Sequence, residues 1–130
     1  MKLFLREILG VAIGGASGCS LRFVLSRYIQ AVAPADFPWG ILLCNLLGCF
    51  LIGILVEFLF NHLELGPLSR SFLIIGFLGG LTTFSSFTLD TMMLLQSGKF
   101  LYAMSNILIT MVGCIFATAI GMYISVTFFL

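Results

Sequence analysis

The stretch GFLGGLTTFSSFTLD, Gly76 to Asp90, sets two adjacent glycines, a run of hydroxyls, two phenylalanines and a carboxylate inside a chain that is otherwise apolar. Gly79 and Gly80 are poor helix residues, and Thr82 and Thr83 suit the N-cap of a new helix. A helix that stops near Gly79 and restarts near Thr83 would expose carbonyls at its first end and amides at its second. Irregular backbone at membrane depth is tolerated only where protein buries it or a watery cavity meets it. Exposed carbonyls suit a cation; exposed amides and hydroxyls suit an anion. The same residues also fit a glycine-assisted packing contact with the hydroxyls bonded back to the previous turn.

Composition decides where this stretch lies. Of 130 residues, 61% are hydrophobic and 8% charged, and the mean hydropathy is +1.21. Soluble domains carry roughly 25% charged residues, so this chain has too few to clothe a water-facing surface. A bilayer crossing needs about 20 mainly apolar residues, and four such runs can be read. The expected fold is an all-α membrane protein, a single transmembrane domain over 1–130. Its helices are placed at about 4–28, 39–60, 71–95 with a break near 79–83, and 100–128. AVAPADFPWG (Ala31 to Gly40), the polar loop NHLELGPLSR (Asn61 to Arg70) with its Gly-Pro stop, and the QSGK turn separate them. MKLFLREILG has the basic flavour of a signal peptide, but the apolar run continues too far, so a retained first helix is expected. Cys19, Cys44, Cys49 and Cys114 form no CxxC pair and read as small reduced packing residues. A net charge of +1 with no basic cluster gives no reason to invoke nucleic acid.

Lysine and arginine counts orient membrane helices. Lys2, Arg6 and Arg70 fall on one side, Arg27 and Lys99 on the other, which is almost no bias. Such a chain could insert in both orientations and pair with an opposite copy about an axis in the membrane plane, or hold one weakly biased topology. Gly10, Gly14 and Gly18, and again Gly113, Ala117 and Gly121, recur every four residues. These ridges let helix backbones approach closely in lipid. Four short helices have little interior of their own, so an oligomer is expected.

The polar residues suggest an ion path. Phe84 and Phe87 share a helix face, and the electropositive edge of a phenyl ring can face an anion; equally, such rings face lipid or core. Ser85, Ser86 and Thr88 are interleaved with them. Arg22 lies within the first helix, where a lone arginine faces the interior, a partner or a water-filled cavity, or snorkels outward. Asn45 on the second helix offers amide donors to an anion or to another helix. Asn106, Thr110, Cys114 and Thr118, each four apart, form a narrow polar stripe on the last helix. Several such residues in register look like the wall of a pathway. Enzyme chemistry is unsupported: His62 is the sole histidine, and no HExxH, P-loop or GxSxG occurs. Glu57 and Glu64 read as solvated or interfacial.

Taken together, GGASGCSLRF in the first helix, NLLG in the second, GFLGGLTTFSSF in the third and ATAIG in the last resemble the Fluc (CrcB) fluoride channels of bacteria. The resemblance covers nearly the whole chain. It implies an antiparallel, dual-topology homodimer in the bacterial inner membrane, a passive fluoride exporter with two pores, and no enzyme activity. It further implies that Phe84, Phe87 and Asn45 line the pore, with Ser85, Ser86, Thr88, Thr110, Cys114 and Thr118 along a polar track. Arg22 would hold the dimer or attract fluoride in a vestibule. The carbonyls of Gly79 and Thr82 from both subunits would hold a structural Na+ ion. Two departures stand out: Asp90 replaces the glutamate of relatives, and Cys114 an often-found serine. A small proton-coupled multidrug transporter also has four helices, but needs a carboxylate embedded in the first, where only Glu7 near its start is present. A non-transporting assembly subunit is the remaining alternative.

Overall fold

In a computed structural model, residues 1–34, 36–59 and 65–129 are described. They are helical apart from short connections, with no strand among them. The elements are α1 (Lys2–Val32), α2 (Trp39–Glu57), α3 (Pro67–Arg70), a π-helical segment (Ser71–Leu78), α4 (Gly79–Leu81), α5 (Phe84–Gln96) and α6 (Phe100–Phe129). By length and apolarity they make four membrane crossings: α1, α2, Pro67–Gln96 and α6. The surface they present is apolar, with Phe4, Leu9, Ile13, Phe23, Ile115 and Phe116 all exposed. That is the reverse of a water-soluble protein, and the chain is a multi-pass membrane protein.

Local chemistry sets the ends of these helices. α1 runs longer than expected and stops at Ala33, which turns extended ahead of Pro34. Gln30 then brackets the connection. Its Nε2 donates to the Phe37 carbonyl at 3.0 Å, and its Oε1 accepts from the Gly40 amide at 3.2 Å, covering an orphan donor of α2's first turn. Phe37 is wedged against Trp39 and Tyr102, with ring centroids at 4.8 and 6.2 Å. At the other tight connection Gly98 takes φ 75°, a conformation open to glycine. There the Lys99 amide donates to the Leu94 carbonyl at 2.9 Å, and the Lys99 ammonium pairs with Asp36.

One expectation needs correcting. The Gly-Pro of the second loop does not stop a helix but starts one: Pro67 occupies the first turn of α3, where its missing amide costs nothing. The third crossing therefore begins before Ser71 and passes through wide π turns. His62 and Glu64 lie outside the described residues.

The glycine ridges are used within the chain. α1 packs on the π-helical segment, and α2 on α6. A methyl group on Gly14 would come within 3.0 Å of the Phe77 amide nitrogen and 3.2 Å of the Gly76 Cα. On the other pair, one on Gly121 would meet the Ile54 amide at 3.0 Å and the Gly53 Cα at 3.2 Å. Backbones at this separation gain dispersion contacts along the whole crossing, the main attraction available between helices in lipid.

The third crossing carries the irregularity that positions the site. Gly79 and Gly80 are helical; it is Thr82 (φ −90°, ψ 154°) and Thr83 (φ −155°, ψ 122°) that are extended between α4 and α5. Gly80 serves close approach instead, since a methyl there would lie 2.7 Å from the Gly15 carbonyl oxygen.

Candidate functional site

Two consecutive extended residues release backbone groups from helical bonding, and buried groups of this kind must be paired. Side chains from two other helices do so. Asn45 of α2, only 6% exposed, accepts from the Thr83 amide through Oδ1 at 2.7 Å. Its Nδ2 donates to the Thr83 carbonyl at 3.1 Å. Arg22 of α1 donates from Nη1 to the Thr82 carbonyl at 3.0 Å, with Nη2 3.7 Å from Cys19 Sγ. The buried face of α1 thus delivers a guanidinium to a backbone oxygen, and the arginine does not snorkel away from it.

Thr83 caps α5. Its hydroxyl oxygen accepts from the Ser86 amide at 3.2 Å, lies 3.1 Å from Ser85 Oγ and donates to Ser86 Oγ at 3.3 Å. Ser86 is therefore an acceptor in this cluster, and its own hydroxyl proton is uncommitted among the described residues. Asn45 likewise keeps one amide hydrogen beyond the bond to Thr83. Thr88 is committed, donating to the Ser85 carbonyl at 2.9 Å.

The two phenylalanines adjoin, with centroids 5.3 Å apart and planes tilted by 47°. They differ in environment: Phe87 is 5% exposed and Phe84 67%.

The stripe on α6 divides between neighbours. Asn106, 2% exposed, donates to Thr91 Oγ1 of α5 at 3.0 Å, and Thr91 donates to the Phe87 carbonyl at 2.8 Å. Thr110 Oγ1 reaches Asn106 Oδ1 at 3.4 Å. Further along, Thr118 donates to the Cys49 carbonyl of α2 and the Cys114 carbonyl, both at 3.0 Å. Cys114 adjoins Cys49, and none of the four cysteines is in a disulfide. The threonine hydroxyls of the stripe thus already have protein acceptors.

A cavity of about 510 Å³ opens where α1 and α5 end and α2 begins, lined by Arg27, Asp36, Asp90, Ser97 and Lys99 among others. It gathers both cations assigned to that side together with Asp90. Thr83, read from the sequence only as an N-cap, is the residue that joins Asn45 to Ser86. Its signal was the N-cap position itself. Asn106, read from the sequence as part of the stripe, ties it through Thr91 to the back of Phe87.

Four apolar crossings, one of them carrying an extended segment held by Asn45 and Arg22, define a small polytopic membrane protein. The comparisons are more specific. The family model described as "CrcB-like protein, Camphor Resistance (CrcB)" matches residues 9–122. A protein of Citrifermentans bemidjiense named "Fluoride-specific ion channel FluC" is 40% identical over 121 residues, 93% of this chain and 98% of its own. Identically named proteins of Hahella chejuensis and Geobacter sulfurreducens are 42% and 41% identical, covering 85% and 88% of this chain and 87% and 92% of theirs. The chain belongs to the CrcB family.

Proposed function

We propose that this protein is a fluoride-selective passive channel of the bacterial inner membrane, working as an antiparallel homodimer with two pores and exporting fluoride that has entered as hydrogen fluoride. The observation that carries this reading beyond family membership is the cluster around Thr83. Through it, spare donors on Asn45 and Ser86 adjoin the Phe84–Phe87 pair on otherwise apolar helices.

Fluoride is small and tightly hydrated, so a path for it must replace strong water hydrogen bonds. A fixed cation in the narrowest part would bind the ion too well to release it. Neutral donors and ring edges let it both enter and leave. In this reading the Ser86 hydroxyl and the second Asn45 amide hydrogen donate to the ion, and Phe84 and Phe87 turn their edges toward it. Thr88, Thr110 and Thr118 donate by exchanging their present carbonyl and amide acceptors for the anion. Ser85 and Cys114 complete the track, the thiol as a weak donor. The Arg27 and Lys99 cavity is the access vestibule, where Asp36 and Asp90 temper the positive charge. Arg22 stays with the backbone.

We read Pro67–Gln96 as one crossing broken at Thr82–Thr83, with the exposed Phe84 directed toward a second copy. For Na+, the Gly79 and Thr82 carbonyls would be the ligands. The Thr83 amide, α-helical partner of the Gly79 carbonyl, donates to Asn45 instead. The Thr82 carbonyl accepts from Arg22 and retains a second lone pair. Neutral carbonyl oxygens suit this hard cation. Two per chain call for a second chain to fill the shell. Held by the Gly79 and Thr82 carbonyls, the ion would supply a fixed positive charge.

The test is efflux from liposomes holding purified Phe87→Ile. Losing a ring edge worth ~1.5 kcal/mol is expected to lower fluoride flux about tenfold or more, with an unchanged elution volume in micelles. Wild-type flux from this variant would count against the pore assignment.

A further inference from the structure

A second cavity lies far from the Thr83 cluster, on the outer face where α1 passes α3 and the π-helical segment. It is a groove of about 620 Å³, within the roughly 300–1,000 Å³ of small-molecule sites. Leu9 and Ile13 form one wall, Leu68, Phe72 and Leu73 the other. Among the described residues its polar lining side chains are Arg6 and Ser69. Arg6 is exposed and makes no hydrogen bond or ion pair among the described residues. Lys2 sits one turn earlier on the same face, whereas Glu7 leaves the helix about 100° away.

The dimensions match one half of a bilayer. From Arg6 to Ile13 the helix rises about 10 Å, within the ~15 Å hydrocarbon depth of a leaflet. With Arg6 at headgroup level, the slot beneath it would run down among acyl chains. Apolar walls alone would accept any lipid, and the charge makes the choice. A zwitterionic headgroup brings its own ammonium to a phosphate, while an anionic one leaves it for Arg6.

We propose that this groove binds one acyl chain of an anionic phospholipid whose phosphate is held by Arg6, with Lys2 adding to the field and Ser69 donating to the headgroup. The groove is distinct from the proposed fluoride path, so this site stands or falls independently of it.

The experiment is a titration of the full chain in neutral micelles with phosphatidylglycerol, and separately with phosphatidylcholine of the same chains. Helix loss on heating is followed by circular dichroism. Phosphatidylglycerol is expected to raise the melting temperature saturably and at lower concentration than phosphatidylcholine. Arg6→Gln is expected to raise the half-saturating phosphatidylglycerol about fivefold, the factor for one interfacial cation, and to leave phosphatidylcholine unchanged. Arg27→Gln, at the opposite end, is expected to alter neither. Ile13→Trp, which fills the slot from an exposed position, is expected to remove the saturable response to both lipids. Equal responses to the two lipids, an unchanged response in Arg6→Gln, or the full effect from glycerol phosphate alone would each overturn the proposal. So would a shift from dimer to monomer in Ile13→Trp with the lipid response intact, which would give the groove to a second copy of the chain.

Discussion

Thr83 has its amide, its carbonyl and its hydroxyl all engaged, the first two by one side chain from a helix 38 residues away in sequence. The clamp explains how an extended residue persists at membrane depth, where no bulk water can satisfy it. It also fixes the register of α5's first turn, and with it the Ser86 hydroxyl and the two rings. Asn45→Ala would leave the Thr83 amide and carbonyl unpaired, at a cost of about 2–3 kcal/mol. A clear fall in melting temperature in micelles is expected, and wild-type melting would show that the clamp is dispensable. A lone asparagine on an apolar helix announces that it needs a partner. Nothing local says that the partner is a backbone rather than an ion, and the sequence reading accordingly treated Asn45 as a donor to either. The Thr82 carbonyl as the target of Arg22 was equally invisible, because Arg22 and Thr82 meet only once α1 has docked.

At the level of elements, two glycine-lined contacts hold α1 to the third crossing and α2 to α6. The four-residue spacing of Gly10, Gly14 and Gly18 was legible because it is a local pattern. Which helix fills the ridge was not, because that depends on folding. The π-helical turns at Ser71–Leu78 left no readable mark, since an apolar run looks the same with either hydrogen-bond spacing. Gly79 and Gly80 pointed to the right region but for a different reason. Both remain helical and Gly80 admits α1, while the extended residues are the threonines, whose β-branched side chains fit that conformation. The ridge makes a sharp test. Gly18→Ala would press a methyl to about 3.0 Å from the Leu81 amide and is expected to cost about 1–3 kcal/mol. At Gly15 the nearest atom would be 3.9 Å away, so Gly15→Ala is expected to stay within about 0.5 kcal/mol of wild type. Thermal melts of the two variants side by side check this, and equal melting would mean that close backbone approach is not what holds α1.

For the whole molecule, composition alone made the four crossings legible, because a chain with so few charges has no other solvent than lipid. The convergence of its polar groups was only half legible. The stripe of Asn106, Thr110, Cys114 and Thr118 stood out by spacing, yet its polar groups serve two different neighbours, the Asn106 amide bonding Thr91 at one end and the Thr118 hydroxyl the Cys49 carbonyl at the other. Side-chain bonding between helices of this kind stabilises a bundle as well as lining a path, and the two uses are separated by transport, not by geometry. The proton-coupled alternative fares worse at this scale. The polar group that α1 delivers to the interior is the guanidinium of Arg22, not a carboxylate that could carry a proton. The central claim is a selective passive path for fluoride. Its most direct test is release from liposomes holding the purified wild-type chain, read with a fluoride electrode, with chloride-loaded liposomes as the control. The account predicts rapid fluoride release with negligible chloride release. Absence of fluoride release from liposomes shown to contain folded protein, or equal release of both anions, would contradict it.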